Sequence, residues 1–125
     1  MAKYVKEIAG DYDHFIAYID HKMMNSSISV DIEDKHKTRV NNVMCTILVY
    51  ERYSYSGGNR VSMNITILGY QKSIQVVAIT SGGSTGTFFK INTIGEENFL
   101  NKFIEIIEEY RGDENVKISK NNRGW

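Results

Sequence analysis

The chain of 125 residues contains no proline. Average usage of about 5% would supply about six. Its turns must therefore take their shape from Gly, Asn, Asp and Ser. Cysteine is almost missing as well, since Cys45 stands alone. One thiol cannot form an internal disulfide, so a disulfide-stapled secreted domain is excluded. No apolar run reaches the roughly 18 residues that a membrane helix requires. The first segment, MAKYVKEIAGDYDHF, is charged throughout and has no signal-peptide core. These absences lead us to expect a cytoplasmic protein with no membrane partner. Net charge is missing too, with 15 basic residues set against 15 acidic ones. No whole-molecule basic field exists to hold a nucleic acid, so no nucleic-acid partner is expected. Near-zero charge does permit self-association.

What remains is an ordinary globular composition, 42% hydrophobic and 24% charged. The length suits one domain with a real core. We expect that domain over residues 1–112, followed by a polar tail over 113–125. The centre of the chain, residues 43–84, reads as three strands joined by two turns. Val61, Met63, Ile65 and Ile67 alternate with Arg60, Ser62, Asn64 and Thr66, the period of a strand with one buried face. The strand before it is apolar on both faces, with Val43, Cys45, Ile47 and Val49 on one and Met44, Leu48 and Tyr50 on the other. Such a strand is central, or covered in part on both faces. In this alternation Cys45 reads as a buried structural thiol. The third strand, around Ile74, Val76 and Ala78, can also be half or wholly buried. Ser56-Gly57-Gly58-Asn59 and Gly69-Tyr70-Gln71-Lys72 fit hairpin turns, too short for a parallel crossover.

The flanks follow the same logic. Residues 3–9 read as a first strand ended by Gly10. Over 12–24 the apolar residues Tyr12, Phe15, Ile16, Ile19 and Met23 fall on one helical stripe, with Asp11 or Asp13 as cap and Asn25 as stop. Residues 27–33 return to period two, with Ile28, Val30 and Ile32 inward, and the run DKHKTRVNN reads as a polar turn leading into the next strand. Thr93 and Glu96 fit a capping box for a second helix, whose inner face is Phe99, Leu100, Phe103, Ile106, Ile107 and Tyr110. Gly112 fits the residue after its end. The expected fold is α+β in two layers: a single antiparallel sheet with two helices on one face, in the order β-α-β-β-β-β-α. That order is similar in topology to the TATA-binding-protein-like and helix-grip architectures, which gives no function.

The segments 53–60, 81–84 and 89–97, within ERYSYSGGNRVSMNIT and AITSGGSTGTFFKINTIGEENFL, resemble a family of small bacterial domains of unknown function, mostly from Gram-positive anaerobes and their relatives. The resemblance extends over about residues 2–110. It implies no activity, ligand or catalytic residue.

Two stretches are candidate sites. Gly82, Gly83, Ser84 and Gly86 could present successive backbone N–H groups to an anion. They match neither the P-loop nor the dinucleotide glycine order, and a turn, bulge or mobile loop is the plainer use of such glycines. Tyr50, Arg52, Tyr53, Tyr55 and Arg60 form an aromatic–basic hairpin suited to a protein interface, or to plain cross-strand pairing. If that hairpin shows an open edge, a homodimer is expected. His14, His21 and His36 do not make a metal set, because the first two stand about 10.5 Å apart along a helix. No cofactor, metal or catalytic constellation is indicated. Two functions follow: a non-enzymatic self-association or protein-interaction module, or a binder of a small molecule, anions included, in a pocket between sheet and helices.

Overall fold

A computed structural model of the chain describes residues 2–26, 30–54, 59–82 and 89–111, apart from the side chains of 53, 54, 59 and 89–97. The elements are β1 (Ala2–Ala9), α1 (Tyr12–Met24), β2 (Asp31–Val40), β3 (Val43–Ser54), β4 (Asn59–Tyr70), β5 (Ser73–Gly82) and α2 (Phe89–Glu108). The five strands form one antiparallel sheet in the order β1-β5-β4-β3-β2. Both helices cover one face of it, so the fold is the α+β arrangement read from the pattern.

The period-two strand β4 is the middle of the sheet, and its alternate residues Val61, Met63, Ile65 and Ile67 are all buried. Ile65 stands opposite Leu48 on β3 and Ala78 on β5, both fully buried. The stripe of α1 meets this face through Phe15, Ile16, Ile19 and Met23, and α2 meets it through Phe99, Phe103, Ile106 and Ile107. Asp11 caps α1, its carboxylate accepting from the His14 N–H at 2.9 Å. Asn25 closes it, donating from its backbone and its side chain to the His21 carbonyl. The two helices join through rings: Tyr110 packs on Phe15 and Tyr18, at centroid distances of 4.9 and 4.7 Å.

Several expectations need correction. The strand placed over 27–33 is instead β2, Asp31–Val40, and all ten of its residues are exposed. Ile28 lies outside the described residues. The run expected as a turn is thus a strand at the sheet edge, and the turn is Asn41-Asn42, with Asn41 at φ 55°. β2 bulges at Glu33, where its pairing slips between Ile32 and Asp34. An edge strand beyond the helices buries neither face, so it carries no apolar period to read. The hairpin β3–β4 is interior, and the sheet edges are β1 and β2. Its expected turn, 56–59, lies mostly outside the described residues. Between β4 and β5 only Gln71 and Lys72 turn, with Gln71 at φ 55°. The helix α2 begins at Phe89, so Thr93 and Glu96 fall inside it and cannot box its start. Gly112 is outside the described residues.

Gly69, expected in a turn, is a core-facing strand residue. A Cβ on it would collide with the ring of Tyr12, which lies where any side chain would go. Cys45 is half-buried on the face away from the helices, not in the core. Both faces of β3 are apolar, so its pattern alone did not say which face the helices take.

Candidate functional site

Chemistry between sheet and helices would need the polar groups that lie there. Asp20 on α1 accepts from the Tyr50 hydroxyl at 3.1 Å and from Lys35 Nζ at 2.8 Å. The Tyr12 hydroxyl is hydrogen-bonded to Thr46. Tyr4 and Lys6 on β1 both donate to the Glu108 carboxylate on α2, at 2.6 and 3.1 Å. His14 Nδ1 and the Tyr110 hydroxyl are 2.9 Å apart. Burial raises the pKa of Tyr50 well above its ordinary value, and the Asp20 charge and hydrogen bond raise it further. Burial likewise raises Tyr12, and it pushes Tyr18 up to about 12. Tyr4 rises through burial and the adjoining Glu108. Hydrogen bonds from Tyr4 and Lys6 hold the Glu108 carboxyl below the usual range. Raised in this way, the hydroxyls stay protonated at neutral pH. Those of Tyr4, Tyr12 and Tyr50 tie sheet to helices, and that of Tyr18 ties α1 to α2 by donating to the Ile106 carbonyl.

Among the described residues no helix lies on the other face of the sheet. Its residues line up in rows from the β1 edge to the β2 edge. One row is Lys3, Ile79, Asn64, Val49 and Asp34. The next is Val5, Val77, Thr66, Ile47 and His36, and the third is Glu7, Gln75, Leu68, Cys45 and Thr38. Seven large apolar side chains are exposed among the described residues, and five of them, Val5, Val40, Val43, Tyr70 and Ile79, lie on this face. At its lower end are two shallow, open depressions of about 310 and 230 Å³ that share Glu7 and Ser73. Neither brings together a set of groups suited to catalysis.

The residues singled out in the sequence do not meet in one place. Tyr50 is fully buried in the core and its hydroxyl is taken by Asp20. Arg52 is half-buried on the same side of β3. Arg60 is exposed on the opposite, helix-free side, its Nη1 3.1 Å from Glu51 Oε1. Tyr53 pairs with Arg60 through the backbone; its side chain and all of Tyr55 are outside the described residues. Tyr50 and Arg60 therefore cannot serve one contact surface in this fold. Gly82 ends β5 opposite Val61, while Gly83, Ser84 and Gly86 are outside the described residues. The histidines stay apart: His14 is buried, His21 bonds with Asn25 at the end of α1, and His36 lies on β2. No group of three or more His, Cys, Asp or Glu is placed to hold a metal among the described residues. No helix among them is long and apolar enough to cross a membrane.

The face that does gather exposed apolar residues was missed as a site. Its signal was present in the two-sided apolarity of residues 43–50 and 74–81, which also fits a strand covered on both sides.

A family described as a family of unknown function (DUF6054) matches residues 1–111. The chain belongs to that family. The match takes in every element from β1 to α2, so the family corresponds to the whole sheet-and-helix unit. No curated protein matches the chain.

Proposed function

We propose that this member of the family is a non-enzymatic module that works by self-association, with the helix-free face of its sheet as the contact surface. One observation carries the reading: the exposed large apolar side chains concentrate on that face. Antiparallel sheets can leave one face to water, and such a face then alternates to polar residues. Here Val5, Val77, Ile47, Val49 and Leu68 take positions where polar residues would serve solvent better. Contiguous apolar surface of this kind marks interaction sites. The layer tyrosines are committed to structure, and a neutral chain does not repel its own copy. A cytoplasmic setting suits the single unpaired thiol.

The test is sedimentation velocity across a range of concentrations. The reading expects a species of twice 14.3 kDa that dissociates on dilution. A monomer mass unchanged up to high micromolar protein rejects it.

A further inference from the structure

Resting on that reading, we infer that the second copy packs sheet to sheet, with helices outward, about a two-fold axis running along β4. The sheet has five strands with β4 in the middle, and two strands on each side of it. Rotation about β4 therefore lays β1 of one copy over β2 of the other, and β5 over β3. The three rows then match themselves. Lys3 at one edge falls on Asp34 of the other copy, and the contact occurs twice. Ile79 falls on Val49, and Val77 falls on Ile47. Val5 falls on His36, and Gln75 falls on Cys45. On the axis Thr66 meets Thr66 and Leu68 meets Leu68. A two-fold interface needs this kind of self-complementarity, residue i meeting j and j meeting i. Arg60 also lies near the axis, and in each copy Glu51 stands 3.1 Å away to offset its charge.

The competing axis runs across the strands. It would set Lys3 on Glu7, but also Ile79 on Gln75 and Leu68 on Asn64, and it would leave Asp34 facing Thr38. Either axis gives Lys3 a carboxylate and leaves the other carboxylate on Thr38, so it is the apolar matching of Ile79 with Val49 and of Leu68 with Leu68 that favours the axis along β4. The size suffices as well. Five strands about 4.8 Å apart and about eight residues long present on the order of 600 Å² per copy, enough to exceed the total of about 1,000 Å² expected of a specific interface. Aligned sheets pack about 10 Å apart with inner side chains interdigitating.

Cross-linking tests the axis. In a Cys45→Ser background, Leu68→Cys and Val5→Cys are each treated with a bis-maleimide about 8 Å long. Two Leu68 positions face each other across the axis, whereas two Val5 positions lie about 20 Å apart. Leu68→Cys should link into covalent dimers and Val5→Cys should not. Charge reversal tests the register. Lys3→Glu and Asp34→Lys should each weaken association at least tenfold, since each places two like-charge contacts in the dimer, and the double variant should recover most of the loss. Both residues are exposed, and near-native circular dichroism of each variant confirms that the fold survives. A dimer that links through Val5→Cys and not Leu68→Cys, or ignores both charge reversals, overturns this geometry while leaving self-association standing. A wild-type chain that stays monomeric overturns both.

Discussion

Ile65 and Ile79 sit on neighbouring strands of one sheet, yet the first is fully buried and the second is 38% exposed. They differ only in which side of the sheet they face. On the helix side the apolar residues of β4 and β5, with Leu48 and Tyr50 of β3, are buried in the core shared with α1 and α2, and the polar groups left there are tied by Asp20, Thr46 and Glu108. On the bare side the same residue types meet only their neighbours in the sheet. Composition cannot tell the two sides apart, because β3 and β5 are apolar on both. The number of helices can, since two helices suffice for only one face. The closed core lies on one side of the sheet, and the proposed contact surface on the other.

The sharpest test of that division is Ile65→Ala. It removes a branched side chain from a closed core and should cost about 2–5 kcal/mol in urea unfolding, through lost burial and a cavity. A cost below about 0.5 kcal/mol, as at surface sites, would reverse the two faces. Gly69→Ala comes next. The added methyl collides with the ring of Tyr12, and forced repacking of this kind costs about 1–3 kcal/mol. Because the strain comes from that ring, pairing Gly69→Ala with Tyr12→Ala should recover part of what the two single changes cost when summed. Tyr50→Phe should cost about 1 kcal/mol, the net worth of its bond to Asp20.

Titration probes the same side. Burial raises the folded pKa of Tyr12, Tyr18 and Tyr50 above their unfolded value of 10.0. Above that pH the unfolded chain releases protons that the folded chain keeps. The stabilisation is thus complete below about pH 10 and is lost as pH rises toward about 12, the folded value for Tyr18. Stability measured by urea at a series of alkaline pH values should fall through that window, and a flat profile would mean that these hydroxyls are not held in the layer. Glu108 works in the opposite sense. Its carboxyl is held below 4.5, so its contribution is present above that pH and disappears as pH falls through the folded value. Lys6→Ala should diminish that acid dependence. The smallest effect belongs to the bare side: Ile79→Thr should change monomer stability by no more than about 0.5 kcal/mol, measured at protein concentrations below those of any dimer.

The legible and illegible parts of the chain divide along the same line. Helix α1 could be read to the residue because its stripe, cap and stop agree: Phe15 and Ile19 are buried, Asp11 caps and Asn25 closes. The core face of β4 could be read because polar and apolar residues alternate without exception from Arg60 to Ile67. β2 could not, since a strand with both faces in water has no period, and its lysines mimic a loop. Gly69 reads as a turn residue in any local window, and only the arrival of Tyr12 from 57 positions earlier in the chain explains it. The aromatic–basic set failed as a single surface because Tyr50 and Arg60, close in sequence across a hairpin, point to opposite sides of the sheet. The helix-free face belongs to no single segment. It is assembled by four pairings and becomes visible only when the registers are known.

The pairing of β1 with β5 also sets the order in which the sheet can form. Ala2 and Thr80 lie side by side although 78 positions separate them. β1 is made before β5 and therefore remains without this pairing until β5 has been made. The β2–β3, β3–β4 and β4–β5 pairs are all hairpins between successive strands and can zip in sequence, closing only short loops. β1 must instead close a loop spanning most of the chain, and distant contacts of this kind slow folding. The meander thus serves as a template built from its local turns, onto which β1 docks across 78 positions of sequence.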